Sequence, residues 1–95
     1  MPGTLYMVVE RFKDAEAIYR RLRESGRMMP EGLTYLSSWI DDKFETCYQL
    51  METHDPSLFD EWVSHWNDLM DFEVHAVMTS KEAVERFKSV SPAGA

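Results

Sequence analysis

The sequence predicts an α+β fold with one antiparallel four-stranded sheet, strand order 4-1-3-2, two helices across one face and a short third helix at the end. Three observations predict it. Patterned segments follow one another as strand, helix, strand, strand, helix, strand within 95 residues. Segments of period two alternate with segments of period 3.6. Gly, Pro and Asp stand at the joints. Segments in βαββαβ order fold most simply as a split βαβ pair, which places both main helices on the same side of the sheet.

The first strand is read at residues 4–12 (TLYMVVERF), β-branched, aromatic and apolar before it ends in charge. Asp14 then caps a helix running to about Ser25, with Ala15, Ile18, Tyr19 and Leu22 on one face and Gly26 suited to the left-handed stop. That apolar stripe is thin, so the helix covers a surface rather than forming a core alone. Pro30-Glu31-Gly32 makes a turn into strands at residues 33–40 and 44–53, which Asp41-Asp42-Lys43 joins as a hairpin. Asp55-Pro56 opens the second helix, because aspartate caps and proline is tolerated where the first amide is orphaned anyway. At about 100° per residue, Leu58, Phe59, Trp62, Val63, Trp66, Leu69 and Met70 fall within an arc of roughly 140°. Residues 72–78 alternate as a fourth strand, and Thr79 with Glu82 forms a capping box for a last helix bearing Ala83, Val84 and Phe87. Residues 1–90 read as a single domain and 91–95 as a frayed polar tail.

The strands are apolar on both sides. Strand one sets Tyr6, Val8 and Phe12 against Leu5, Met7 and Val9; strand two sets Leu33, Tyr35 and Trp39 against Leu36 and Ile40; strand three sets Tyr48 and Leu50 against Cys47 and Met51. Helices cover only one face of such a sheet, and the apolar face left over is larger than a soluble monomer usually shows. The expected partner is a second copy of the chain, sheet against sheet.

Composition narrows the function classes. Seventeen acidic against ten basic residues give a net charge of −7, which repels phosphate backbones and anionic membrane surfaces. Nucleic acid and membrane are therefore not expected partners. The βαββαβ order is shared with the RNA-recognition motif, but the third strand, FETCYQLMET, lacks the basic-glycine-aromatic pattern that stacks bases. No stretch approaches the ~18 apolar residues of a membrane span, and the N-terminus lacks a basic region followed by an apolar run. With the single cysteine, Cys47, excluding an intrachain disulfide, a cytoplasmic location is expected. Phosphate loops, Rossmann fingerprints and G-x-S-x-G elbows do not occur in the sequence.

The runs YMVVERF, GRMMPEGLTYLSSW, CYQLMET and WVSHWNDLMDFEV resemble a family of small bacterial proteins of unknown function in the dimeric α/β-barrel superfamily. The likeness covers about residues 4–88. It implies a ferredoxin-like protomer and a barrel shared between two copies. Relatives in that superfamily include cofactor-free monooxygenases, muconolactone isomerases, haem-degrading enzymes and stress-induced proteins without assigned chemistry. The resemblance thus implies a fold and a dimer more than an activity.

Candidate site residues follow from chemistry and position. Glu10 and Glu52 share the strand parity of Tyr6, Val8, Tyr48 and Leu50, which makes each a candidate acid or base, or else a partner for Arg11 or Arg27. Neighbouring antiparallel strands put them at opposite sheet edges, roughly 20 Å apart at ~3.4 Å per residue, so they do not form a dyad within one protomer. Trp62 and Trp66 are core anchors that, with Tyr6, Tyr48 and Trp39, are also placed to line an apolar cavity between the second helix and the sheet. Gln49, Ser38 and His75 are candidate polar holders within it. Cys47 reads as a small buried apolar residue. His54, His65 and His75 lack metal-ligand spacing, so no metal is expected. The haem-degrading relatives hold haem through a helical histidine, which singles out His65, but no other feature argues for haem and no cofactor is expected. The sequence thus points to an uncharacterised homodimer with an apolar pocket for a small hydrophobic or aromatic molecule. The alternatives are a cofactor-free monooxygenase or isomerase, and a structural module with a closed core.

Overall fold

A computed structural model describes residues 3–90. The elements follow the order β1 (Thr4–Phe12), α1 (Ala15–Ser25), β2 (Thr34–Ile40), β3 (Thr46–Thr53), α2 (Leu58–Ser64), β4 (Met70–Val77) and α3 (Ser80–Val90). The strands form one antiparallel sheet in the order β2-β3-β1-β4, an α+β, ferredoxin-like arrangement as the sequence predicts. The tail expected at 91–95 lies outside the described residues.

Local chemistry sets most boundaries where the sequence places them. The Asp14 carboxylate accepts from the Ala17 amide at 3.1 Å, and the Gly26 amide returns to the Leu22 carbonyl from a backbone with φ +68°. The Leu33 amide closes on the Pro30 carbonyl, leaving Leu33 buried just ahead of β2. At the far end the Glu82 amide donates to the Thr79 hydroxyl at 3.1 Å, capping α3.

Two segments differ from expectation, the hairpin loop and the second helix. The hairpin loop is longer, because Asp41 Oδ1 accepts from the amides of both Glu45 and Thr46; the loop bends at Phe44, φ +58°, and delays β3 to Thr46. The second helix starts later, since Asp55 binds the amide and hydroxyl of Ser57 in a turn before Leu58. It also ends at Ser64: three-residue amide bonds, His65 to Trp62, Trp66 to Val63 and Leu69 to Trp66, wind the chain tightly into β4 at Met70. Tightening does not free the apolar face; Phe59, Trp62, Trp66 and Met70 stay buried with Val8, Ile18, Leu33 and Met51 in one core.

Strand register decides which face each side chain takes. Glu10 pairs with Cys47, Val8 with Gln49 and Tyr6 with Met51, so the even residues of β1 share the helix-covered face with the odd residues of β3. Tyr48, Leu50 and Glu52 therefore point to the opposite face with Leu5, Met7 and Val9, which corrects the shared parity expected of Glu10 and Glu52. A bulge between Tyr35 and Ser37 shifts β2 by one residue. It puts Tyr35 and Ser38 on the helix face, their hydroxyls 2.7 Å apart, and sends Trp39 outward beside Tyr48. Trp39 and Tyr48 stand 55% and 44% exposed there, away from the cavity they were expected to line.

Side chains 81–88 of α3 are exposed along their length, Val84 and Phe87 included. No helix among the described residues is long and apolar enough to cross a membrane.

A candidate binding cavity between sheet and helices

The helix-covered face closes imperfectly beside α1, leaving a cavity of about 130 Å³. Aromatic and aliphatic side chains from every layer wall it: Phe12 from β1, Ile18 and Leu22 from α1, Trp62 and Trp66 from α2 and the turns after it, and Met70 at the start of β4. Into this apolar shell the sheet turns a polar row, Glu10, Cys47, Gln49 and Ser38, while Tyr19 and Arg27 reach it from the helix side.

The row is buried. Glu10, Cys47 and Gln49 are 6%, 4% and 3% exposed. Burial raises the Glu10 carboxyl to about 7, against the lesser opposing effects of a hydrogen bond with the Cys47 thiol and the charge of Arg27. The same burial, with Glu10 close by, pushes the Cys47 thiol up to about 12, so it stays protonated. Tyr19 is also raised, by burial first and then by Cys47 and Glu10. Gln49 is weakly held: its amide nitrogen faces the Met51 sulfur at 3.3 Å and its oxygen accepts a long 3.4 Å bond from Arg27 Nη1.

Arg27 is pinned by its backbone. Both indole N–H groups, Trp62 Nε1 and Trp66 Nε1, donate to its carbonyl oxygen, at 3.1 and 3.0 Å. Its guanidinium lies 3.7 Å from the centre of the Tyr35 ring, a cation–π contact, and among the described residues it makes no ion pair. The wall behind Trp66 is braced from outside, where Arg21 binds both carboxylate oxygens of Asp68 and the His65 carbonyl, all at 2.8 Å.

A family model described as a Domain of unknown function (DUF3303) matches residues 4–91. The chain belongs to this family. Comparison with curated proteins and with solved structures gives no match.

The DUF3303 fold gathers some of the expected site residues and scatters others. Glu10, Gln49, Ser38, Trp62 and Trp66 meet at the cavity. Tyr6 faces inward but packs edge-on against Phe59 at 5.1 Å, in the core rather than on the cavity wall. Glu52 lies on the opposite face from Glu10, and His75 stands on that same outer face, 3.7 Å from Glu73. His65 is exposed where α2 ends, outside the cavity wall. Arg27 is the charged wall residue that no sequence pattern flags as lining. Arg27 lies between elements, where no periodicity assigns a direction, and the paired indoles that fix it come from a segment some forty residues on, at |i−j| of 35 and 39.

Proposed function

We propose that this protein is a homodimeric ferredoxin-like binding protein that holds a small hydrophobic or aromatic molecule in the cavity between its sheet and helices. The observation that carries this reading is the join of an apolar, aromatic wall to a row of buried polar groups, Glu10 and Gln49 foremost. A merely structural core fills such space with side chains, since voids cost stability. Ligand sites have the opposite character: mostly apolar, with a few convergent polar atoms.

A second reading, a cofactor-free monooxygenase or isomerase, is favoured by Glu10 specifically. A carboxyl raised to about 7 is poised to take a proton from a bound acid and return it at neutral pH. In that reading Glu10 is the base and Gln49 and Ser38 hold the substrate; Glu52, on the other face, takes no part.

The homodimer is supported by the bare outer face, where Leu36, Trp39 and Tyr48 are exposed, and by the arrangement of the dimeric α/β-barrel superfamily that the sequence resembles. Thermal-shift screening with small aromatic molecules tests the pocket, because a ligand that binds only the native state raises the melting temperature. Hits that are lost in Trp62→Ala support binding. No stabilising compound at millimolar concentration moves the protein to the class of structural modules.

A further inference from the structure

The cavity's dimensions and its one permanent charge narrow the ligand further. An apolar cavity of about 150 Å³ takes up benzene, so a space of about 130 Å³ holds a single six-membered ring and little more. A fused-ring molecule seated there has to project from its open side. Next to this ring-sized space stands the guanidinium of Arg27, half-buried, held by its backbone to two indoles, and without a carboxylate partner among the described residues. Its one hydrogen bond there, to Gln49, is long at 3.4 Å, which leaves donors of its planar fork unused. A poorly hydrated cation with spare donors is a receptor for an anion, and the fork matches a carboxylate.

Resting on the pocket reading above, we propose that the ligand is a single-ring aromatic monocarboxylate, its carboxylate received by Arg27 and its ring held among Trp62, Trp66, Leu22 and Met70. Glu10 tunes this recognition. The groups facing it are the Cys47 thiol from β3, Tyr19 from α1 and Arg27 from the α1–β2 connection; among the described residues α2, the turns after it and β4 contribute Trp62, Trp66, Met70 and Phe72, all uncharged. While protonated, Glu10 leaves the Arg27 charge to the ligand. Once ionised, it competes for that charge and repels the incoming carboxylate, so the site prefers the acidic side of neutrality.

The test uses the full chain with benzoate and phenylacetate, their neutral counterparts benzamide and benzyl alcohol, toluene, and 2-naphthoate. Affinity is measured by calorimetry, and the indole N–H resonances of Trp62 and Trp66 report where each probe sits. The acids are expected to shift both resonances and to bind on the order of tenfold tighter than the neutral probes, as a charge-assisted contact implies. 2-Naphthoate binds more weakly than benzoate. From pH 6 to pH 8 benzoate affinity falls by up to about tenfold as Glu10 ionises, and Glu10→Gln flattens that slope. Arg27→Gln abolishes the preference for acids and Arg27→Lys keeps part of it; circular dichroism checks that each variant is folded. Toluene or benzyl alcohol binding as tightly as benzoate overturns the carboxylate assignment and leaves the pocket reading standing. Acids that bind without moving the indole resonances overturn the assignment as well. Silence from every probe, charged and neutral, overturns both.

Discussion

Glu10 is a carboxyl group in a place that disfavours its charge, and this makes the stability of the fold depend on pH. In the unfolded chain the group titrates near its ordinary value of 4.5, and in the native state near 7, so between these values the native state binds more protons. Stability from this group is complete below pH 4.5, falls as pH rises through 7 and is gone above it. The difference corresponds to about 3 kcal/mol at most. A glutamine at this position keeps the shape without the charge. Glu10→Gln is therefore expected to melt with the wild type at pH 4 and clearly above it at pH 8, and equal melting temperatures at both pH values would contradict the burial of this carboxyl. Glu10 and Gln49 are recognisable because polar residues interrupt apolar strands. Cys47 is foreseen as buried, but its hydrogen bond to Glu10 depends on a register that neither strand carries by itself.

Elements are joined here by few but specific ties. α1 is fastened to the turn beyond α2 by Arg21, which grips Asp68 with two bonds and lies 5.7 Å from the centre of the Trp66 ring. Hydrogen bonds from Arg21 hold the Asp68 carboxylate below the usual range, so its contribution is present above about pH 4 and is lost as pH falls through its lowered native value. Asp68→Asn is expected to lower the melting temperature at pH 7, with the deficit closing as pH falls through the lowered native value of the carboxylate; a constant deficit would assign the loss to packing instead. Element positions were legible because caps and turns are local chemistry: Asp14, Gly26 and Thr79 act within a few residues of themselves. The apolar spacing of the second helix continues through Trp66, Leu69 and Met70, although the backbone has already tightened, so the pattern outruns the helix. Spacing records which side chains are buried, and a helix and a run of tight turns bury much the same set.

At the scale of the whole molecule two apolar surfaces lack cover from the chain's own described residues. One is the outer sheet face, with Leu36, Trp39 and Tyr48; the other is the stripe of α3 that carries Val84 and Phe87. Both are explained together if two copies close sheet to sheet and each α3 packs on its neighbour. Sedimentation at micromolar concentration is expected to give about twice the 11.1 kDa chain mass. Trp39→Asp with Tyr48→Asp is expected to return a single-chain mass, since two desolvated carboxylates are costly in an apolar interface. A wild-type protein that sediments as one chain removes the barrel. The two-sided character of the sheet was readable from β1 alone, because Leu5, Met7 and Val9 alternate with Tyr6 and Val8. The side to which Trp39 belongs was not, because a one-residue bulge inverts parity downstream of it and leaves no mark in composition.

The carbonyl of Arg27 has one further consequence. Two tryptophans that line the void share this single acceptor, so a guest that displaces the Arg27 backbone disturbs both indole N–H bonds at once. Emission from Trp62 and Trp66 is therefore expected to change on filling, read most cleanly where the exposed Trp39 is replaced by Phe.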